Sequence, residues 1–140
     1  MKKIFINAGL SSLAEQEFNK KIKKLCLDCG FELYLPQEAL PPGKSISAQL
    51  IYKANMNAIL ASDIILSILD KPGIGVAYEL GFAKAMDKEI IVFRSDTQDY
   101  LGKIIEGFWD SLPRNRKAKS LFELKKILLE LGDKKWSYQM

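Results

Sequence analysis

One carboxylate stands where a chain of this kind could build a nucleophile. It is Glu79, in the run Gly73-Ile-Gly75-Val-Ala-Tyr-Glu79-Leu-Gly81-Phe-Ala83-Lys-Ala85. The two leading glycines allow backbone to approach a ligand closely, and a helix opening behind them offers unpaired N–H groups and a positive dipole end. A glutamate in the first turn or so of that helix is helped to stay ionised, which suits a nucleophile or a base. Acidic residues also collect in first turns for the dipole alone, so spacing leaves both readings open. Asp70 opens the same loop, either lining a pocket or serving as a loop carboxylate before Pro72. Asp63 is a ligand or a strand-edge residue. Cys26-Leu-Asp-Cys29 has redox spacing, but it falls at a helix C-terminus, where the dipole opposes the thiolate, and no metal-binding partners accompany it.

Two absences narrow the chemistry. The chain has no histidine and two cysteines, which excludes His-based triads, His proton shuttles, His-ligated metals and a four-Cys zinc site. Acid–base or nucleophilic work falls to carboxylates, Tyr, Lys, Ser or Cys. With 140 residues, 48% hydrophobic and 27% charged, the chain has the composition of one folded domain rather than of a disordered segment. No apolar run approaches the ~18 residues of a membrane span, and Met1-Lys2-Lys3 leads straight into a strand rather than a signal-peptide core. No membrane partner and a cytoplasmic location are therefore expected. The net charge of +4 is too mild to mark a nucleic-acid binder. Arg114, Arg116, Lys117 and Lys119, beside Trp109, read as a solvated face rather than a nucleic-acid surface.

The elements that must position these groups alternate. Residues 3–7 form a short apolar strand. From Leu10, apolar residues at 13, 14, 18, 22, 25 and 29 share one helical stripe that stops at Gly30. A second strand covers 31–35, a loop 37–44, and a helix capped by Ser45 or Ser47 carries Ile46, Leu50, Ala54 and Ala58 inward. Residues 63–69 are nearly continuous in apolar side chains, as a strand buried on both faces requires. A helix over 76–86, a strand over 89–93, a helix over 101–109, a basic turn over 111–117 and a helix through Leu121–Leu131 follow, then a tail over 136–140. This order predicts one α/β domain over 1–140 with a doubly wound, mainly parallel five-stranded sheet of flavodoxin-like or Rossmann-like type. Ligands of such sheets bind beyond the carboxyl ends of the strands, which nominates the loops at 8–12, 70–75 and 94–99. Asn7, Ala8 and Gly9 end the first strand at that rim, where they face a ligand or simply make a tight turn.

Gly75-Val-Ala-Tyr-Glu-Leu-Gly-Phe-Ala83, after a strand ending Leu69-Asp70, resembles the nucleoside 2-deoxyribosyltransferase family, which includes the related 2'-deoxynucleoside 5'-phosphate N-hydrolases. The resemblance extends through Ile4-Phe-Ile-Asn-Ala-Gly9, Gly30-Phe31-Glu32, Leu35-Pro36 and Ala61-Ser62-Asp63. It implies that Glu79 attacks C1' of a 2'-deoxynucleoside, expels the base and forms a deoxyribosyl ester. A second displacement, by another base or by water, would complete net retention, as in retaining glycosidases. It also implies no metal or organic cofactor, small nucleoside or nucleobase partners, and a homo-oligomer whose sites are completed by a neighbour.

The chain departs from the family pattern at several positions. Asn55 stands where many members have Asp, and an amide hydrogen-bonds a base without shuttling a proton. Gly73 replaces an Asp or Ser that contacts the sugar or phosphate, and Phe5 replaces a Tyr. Glu106 aligns with an Asn or Ser contributed by the neighbouring subunit. There a carboxylate would repel a 5'-phosphate and accept a hydrogen bond from a 5'-hydroxyl, which favours a nucleoside. With Phe108, Trp109 and Leu112 expected to pack between subunits, the implied substrate-binding set is Phe5, Asn7, Ala8, Gly9, Asn55, Asp70, Gly73, Gly75, Glu106 and Phe108. N-hydrolysis is the alternative activity. The departures at Phe5, Asn55 and Gly73 also motivate a third reading, a nucleotide-binding sensor with little turnover.

Overall fold

The computed structural model describes residues 1–43 and 45–132. The expected tail at 136–140, and Lys44 at the end of the expected loop, lie outside the described residues. Strands β1 (Lys3–Asn7), β2 (Glu32–Tyr34), β3 (Ile64–Ile68), β4 (Glu89–Phe93) and β5 (Lys117–Ala118) form one sheet in the order β2-β1-β3-β4-β5. Every pairing is parallel, so the sheet is wholly rather than mainly parallel. Helices α1 (Leu13–Asp28), α2 (Pro36–Ala39), α3 (Ala48–Ala61), α4 (Ile74–Ala85), α5 (Lys103–Ser111) and α6 (Leu121–Leu131) connect and cover it. The strand order reverses between β1 and β3, and that reversal opens a crevice at their carboxyl ends.

Strand alternation sorts the core into two layers. Ile4, Ile6, Ile64, Leu66, Ile68, Ile91 and Phe93 pack with Ile22 and Cys26 of α1 and with Leu124, Ile127 and Leu128 of α6. Phe5, Ile65, Ile90 and Val92 face the other way, onto α3, α4 and α5. A strand with helices on both faces has no polar side, which is why β3 and β4 read as continuous apolar runs. No described helix is long and apolar enough to cross a membrane.

Several boundaries differ from the sequence reading, each for a local reason. Helix α1 starts at Leu13 rather than Leu10 because Ser12 and Glu15 form a reciprocal capping box. Ser47, not Ser45, caps α3 through the Leu50 N–H. The stretch after Pro36 winds into a helical turn instead of a loop, since proline is preorganised for a first helical position. Lys117, read as the end of a basic turn, forms the fifth strand with Ala118. Two residues carry no periodicity, and only pairing with β4 makes them a strand.

Candidate active site

Helix α4 begins at Ile74 with Gly73 as its N-cap, two residues earlier than expected. Glu79 therefore lies in the second turn, beyond the reach of the first-turn dipole that was to keep it ionised. Burial governs it instead: desolvation pushes its carboxyl from the ordinary 4.5 up to about 7, while Asn55 of α3 pulls the other way by favouring the charged form. The Glu79 charge reaches across to Tyr34 at the end of β2, whose phenol is raised first by its own desolvation and then by that carboxylate. The Tyr34 ring lies flat on Phe5 of β1, centroids 5.6 Å apart and planes within 10°. Glu79 and Asn55 thus meet between α3 and α4, on the sheet face that carries this aromatic pair. The Asn55 Oδ1 is buried without a hydrogen-bond partner among the described residues.

Asn7 is fully buried at the carboxyl end of β1, and its amide donates to Ser67 Oγ and to the Val76 carbonyl, both at 3.0 Å. It ties β1, β3 and the first turn of α4 together, which sets where Glu79 emerges. Gly73 and Gly75 have ordinary negative-φ geometry, and a Cβ on either would meet nothing within 4 Å. The fold does not demand glycine there, and the space above the helix start is open. Gly75→Ala is expected to leave stability unchanged or raise it by up to about 0.5–1 kcal/mol, from helix propensity. If a substrate uses that space, KM should rise in the same variant. Urea unfolding and steady-state kinetics separate the two effects.

Ala8, Gly9 and Asp70 gather elsewhere. With Glu15, Phe18, Asn19, Ile68, Phe93 and Ser95 they line a cleft of about 440 Å³ at the strand ends, on the α1 side of the sheet. The Asp70 carboxylate accepts from Ser95 N (2.8 Å), Ser95 Oγ (2.6 Å) and Asp96 N (3.1 Å), which pins the β4–α5 loop to the β3–α4 loop. A Cβ on Gly9 would lie 2.2 Å from Glu15 Oε2, so glycine suits the close passage of this loop over the capping carboxylate. The expected rim residues consequently divide between two sides of the strand ends. Phe5, Asn7, Asn55 and Glu79 share one side; Ala8, Gly9 and Asp70 border the other.

Glu106 is engaged within its own chain. Its carboxylate is not free to meet a substrate in its own chain: Arg94 Nη1 and Nη2 donate to it at 3.0 and 2.7 Å, and Leu101 N donates at 2.9 Å. Arg94 is essentially unexposed, and its guanidinium also lies 5.2 Å from the Trp109 ring centroid. The pairing lowers the Glu106 carboxyl below its usual range, chiefly through the Arg94 hydrogen bonds. Trp109 was expected between subunits, but it is buried in the layer beneath α5, with Phe108 and Leu112 half-buried against it. The helix turns this apolar run toward its own sheet because the sheet offers a larger dry surface than solvent does.

The remaining chemistry-bearing residues are structural. Asp63 Oδ2 accepts from Lys3 N at 2.8 Å, at the end of the strands away from the crevice. Burial pushes the Cys26 thiol up to about 12 and also raises Cys29, which opposes redox chemistry at the C-x-x-C. Among the described residues no three metal-ligating side chains come together. Sequence reasoning missed Tyr34, Glu15 and Ser95. Glu15 was legible in the Ser12-x-x-Glu15 spacing, and Tyr34 could have been found from its strand position beside Phe5. Nothing local marks Ser95.

A family model described as nucleoside 2-deoxyribosyltransferase matches residues 7–131. The chain is 33% identical over 73 residues to a Trichoplax adhaerens protein named for 2'-deoxynucleoside 5'-phosphate N-hydrolase 1, a match covering 51% of each chain. It is 33% identical over 63 residues to 5-hydroxymethyl-dUMP N-hydrolase of Esox lucius, covering 44% of this chain and 43% of that one. The matched part thus spans about half the length of these curated relatives. The 2-deoxyribosyltransferase of Bacillus psychrosaccharolyticus superposes with a TM-score of 0.73 at 18% identity, over 88% of this chain and 90% of that one, which shows a shared fold.

Proposed function

Since the chain belongs to the nucleoside 2-deoxyribosyltransferase family, we propose that it cleaves the N-glycosidic bond of 2'-deoxynucleosides through Glu79 and passes the sugar to another nucleobase. The observation that carries this reading is the half-buried Glu79 carboxyl, set beside Asn55 and near neutrality in its ionisation. An ionised Glu79 oxygen attacks C1' as the C1'–N bond breaks, and the bonding electrons leave with the base. The resulting ester is opened from the opposite face by the incoming base. Asn55 favours the carboxylate needed for attack but has no acidic proton to give, so the departing base takes its proton from another donor.

A second reading is N-hydrolysis, and the Arg94–Glu106 pair admits a 5'-monophosphate as its substrate. Repulsion between Glu106 and a 5'-phosphate was the reason to prefer a nucleoside, and a carboxylate neutralised by a buried arginine exerts little of it. The Trichoplax adhaerens and Esox lucius relatives, both named as N-hydrolases, point the same way. A cytoplasmic location also belongs to the proposal, as does a homo-oligomer with sites completed between copies, the latter on the family resemblance alone.

Chromatography of the purified protein with 2'-deoxyinosine, alone and with excess adenine, tests both readings. Formation of 2'-deoxyadenosine only with adenine supports transfer. Free base with free deoxyribose from the nucleoside, or with deoxyribose 5-phosphate from its 5'-monophosphate, supports hydrolysis. No turnover of either substrate would overturn both and leave the binding reading.

The ionisation of Glu79 adds an independent expectation. A nucleophile titrating at about 7 must lose its proton to work, so kcat/KM should rise with pH through about 7 and level off above it. A profile already flat between pH 5 and 7, measured as initial rates of base release, would exclude Glu79 as the titrating nucleophile.

A further inference from the structure

A second concave surface lies at the far edge of the sheet, about 680 Å³ in volume, between β5, the turn before it and α6. Strand β5 occupies the edge opposite β2, and α6 covers the sheet face opposite α3 and α4. The cavity lies at the β5 edge, where the two layers meet, and shares no lining residue with the surroundings of Glu79. Its floor is apolar, made by Trp109 and Ile127, and four cationic side chains stand around it: Arg114, Lys117, Lys119 and Lys126.

These cations differ from their neighbour in sequence. Arg116 turns away from the cavity and pairs with Glu89. Among the described residues, none of the four lining cations makes an ion pair, and Lys117 Nζ instead rests 5.1 Å from the Trp109 ring centroid. Two carboxylates, Glu123 and Glu130, border the same space. Glu123 accepts from the Lys119 N–H at the start of α6, so it serves the backbone there. Like charges converging on one concavity repel one another, and an anion seated among them removes that cost while gaining charge-assisted hydrogen bonds. The volume falls within the range of small-molecule sites.

We infer that this cavity between β5 and α6 is a binding site for a phosphate-bearing small molecule, with Arg114, Lys117, Lys119 and Lys126 holding the phosphate and Trp109 and Ile127 forming the floor under its less polar part. The apolar floor and two bordering carboxylates favour a compact ligand over a nucleic-acid strand, which needs a cationic track continuing along the surface.

Isothermal titration of the whole chain with inorganic pyrophosphate, at near-physiological salt, tests the inference without reference to turnover at Glu79. Saturable one-site binding is expected. The Lys117→Gln/Lys126→Gln double variant, which keeps polar side chains and removes two charges, should weaken it at least about tenfold. The control Lys20→Gln/Lys24→Gln, on the exposed face of α1, should leave it unchanged. Absence of saturable binding by the unmodified chain, or equal weakening in both double variants, would overturn the assignment. So would a short single-stranded oligonucleotide that binds the same residues more tightly, because the surface would then be a nucleic-acid face. Circular dichroism of each variant verifies that the fold is retained.

Discussion

Glu79→Gln is expected to lower base release by at least about 10³-fold while making the folded protein more stable at pH 8. The first effect follows from removing the only nucleophile the proposed double displacement has, since loss of an essential nucleophile leaves only the contribution of binding and positioning. The second follows from linkage. A carboxyl raised from 4.5 to about 7 binds its proton more tightly in the folded state than in the unfolded state. Its favourable contribution is complete below about pH 4.5 and is lost as pH rises through about 7, where ionisation strands a half-buried charge. The rise corresponds to on the order of 3 kcal/mol. Glutamine stays neutral, so the variant should gain up to that order at pH 8 and much less at pH 5, where glutamate is largely protonated. Urea unfolding at the two pH values measures the gap. Equal gaps at both would contradict burial as the cause of the raised ionisation, and near-normal base release would sink the mechanism.

Arg94→Ala is expected to cost roughly 3 kcal/mol of stability, the second large effect. Its guanidinium is buried at the carboxyl end of β4, donates to both oxygens of Glu106 and to the Asp99 carbonyl, and lies against Trp109. Removing it opens a void beside the indole and leaves two acceptors without their donors. Glu106→Gln should also destabilise the fold, because the arginine then has no counter-charge in a buried place. Thermal unfolding of both variants checks the pair. If Arg94→Ala melts within a degree of the parent, the pair contributes nothing, and Glu106 would be available for the substrate role first assigned to it.

The contrast between Glu79 and Glu106 shows where sequence reasoning ends. Both were singled out by position, one behind a glycine loop and one by loose alignment. For Glu79 the motif located the residue, but the reason offered for its charge state failed. A helix start misplaced by two residues moved it out of the first turn, and the burial that actually controls it comes from α3 and β2, distant in sequence. For Glu106 the decisive partner is Arg94, twelve residues away across a loop, with no periodic relation between them. Trp109 was misassigned for a similar reason: an apolar run shows that a side chain will be covered, not by what.

The order of the first four strands and the long helices between them, the two-sided burial of β3, and the family-bearing run around Glu79 were all determined by local sequence. Hydrophobic periodicity, glycine and proline act over a few residues, and that range is enough to specify elements and their alternation. Tertiary structure alone decided which strand becomes β5, which of the rim residues share a side of the strand ends, and how Arg94 pairs with Glu106. It also set the ionisation of Glu79. Each of these depends on desolvation or on contacts between residues far apart in the chain, quantities that come into existence only when the layers close over the sheet.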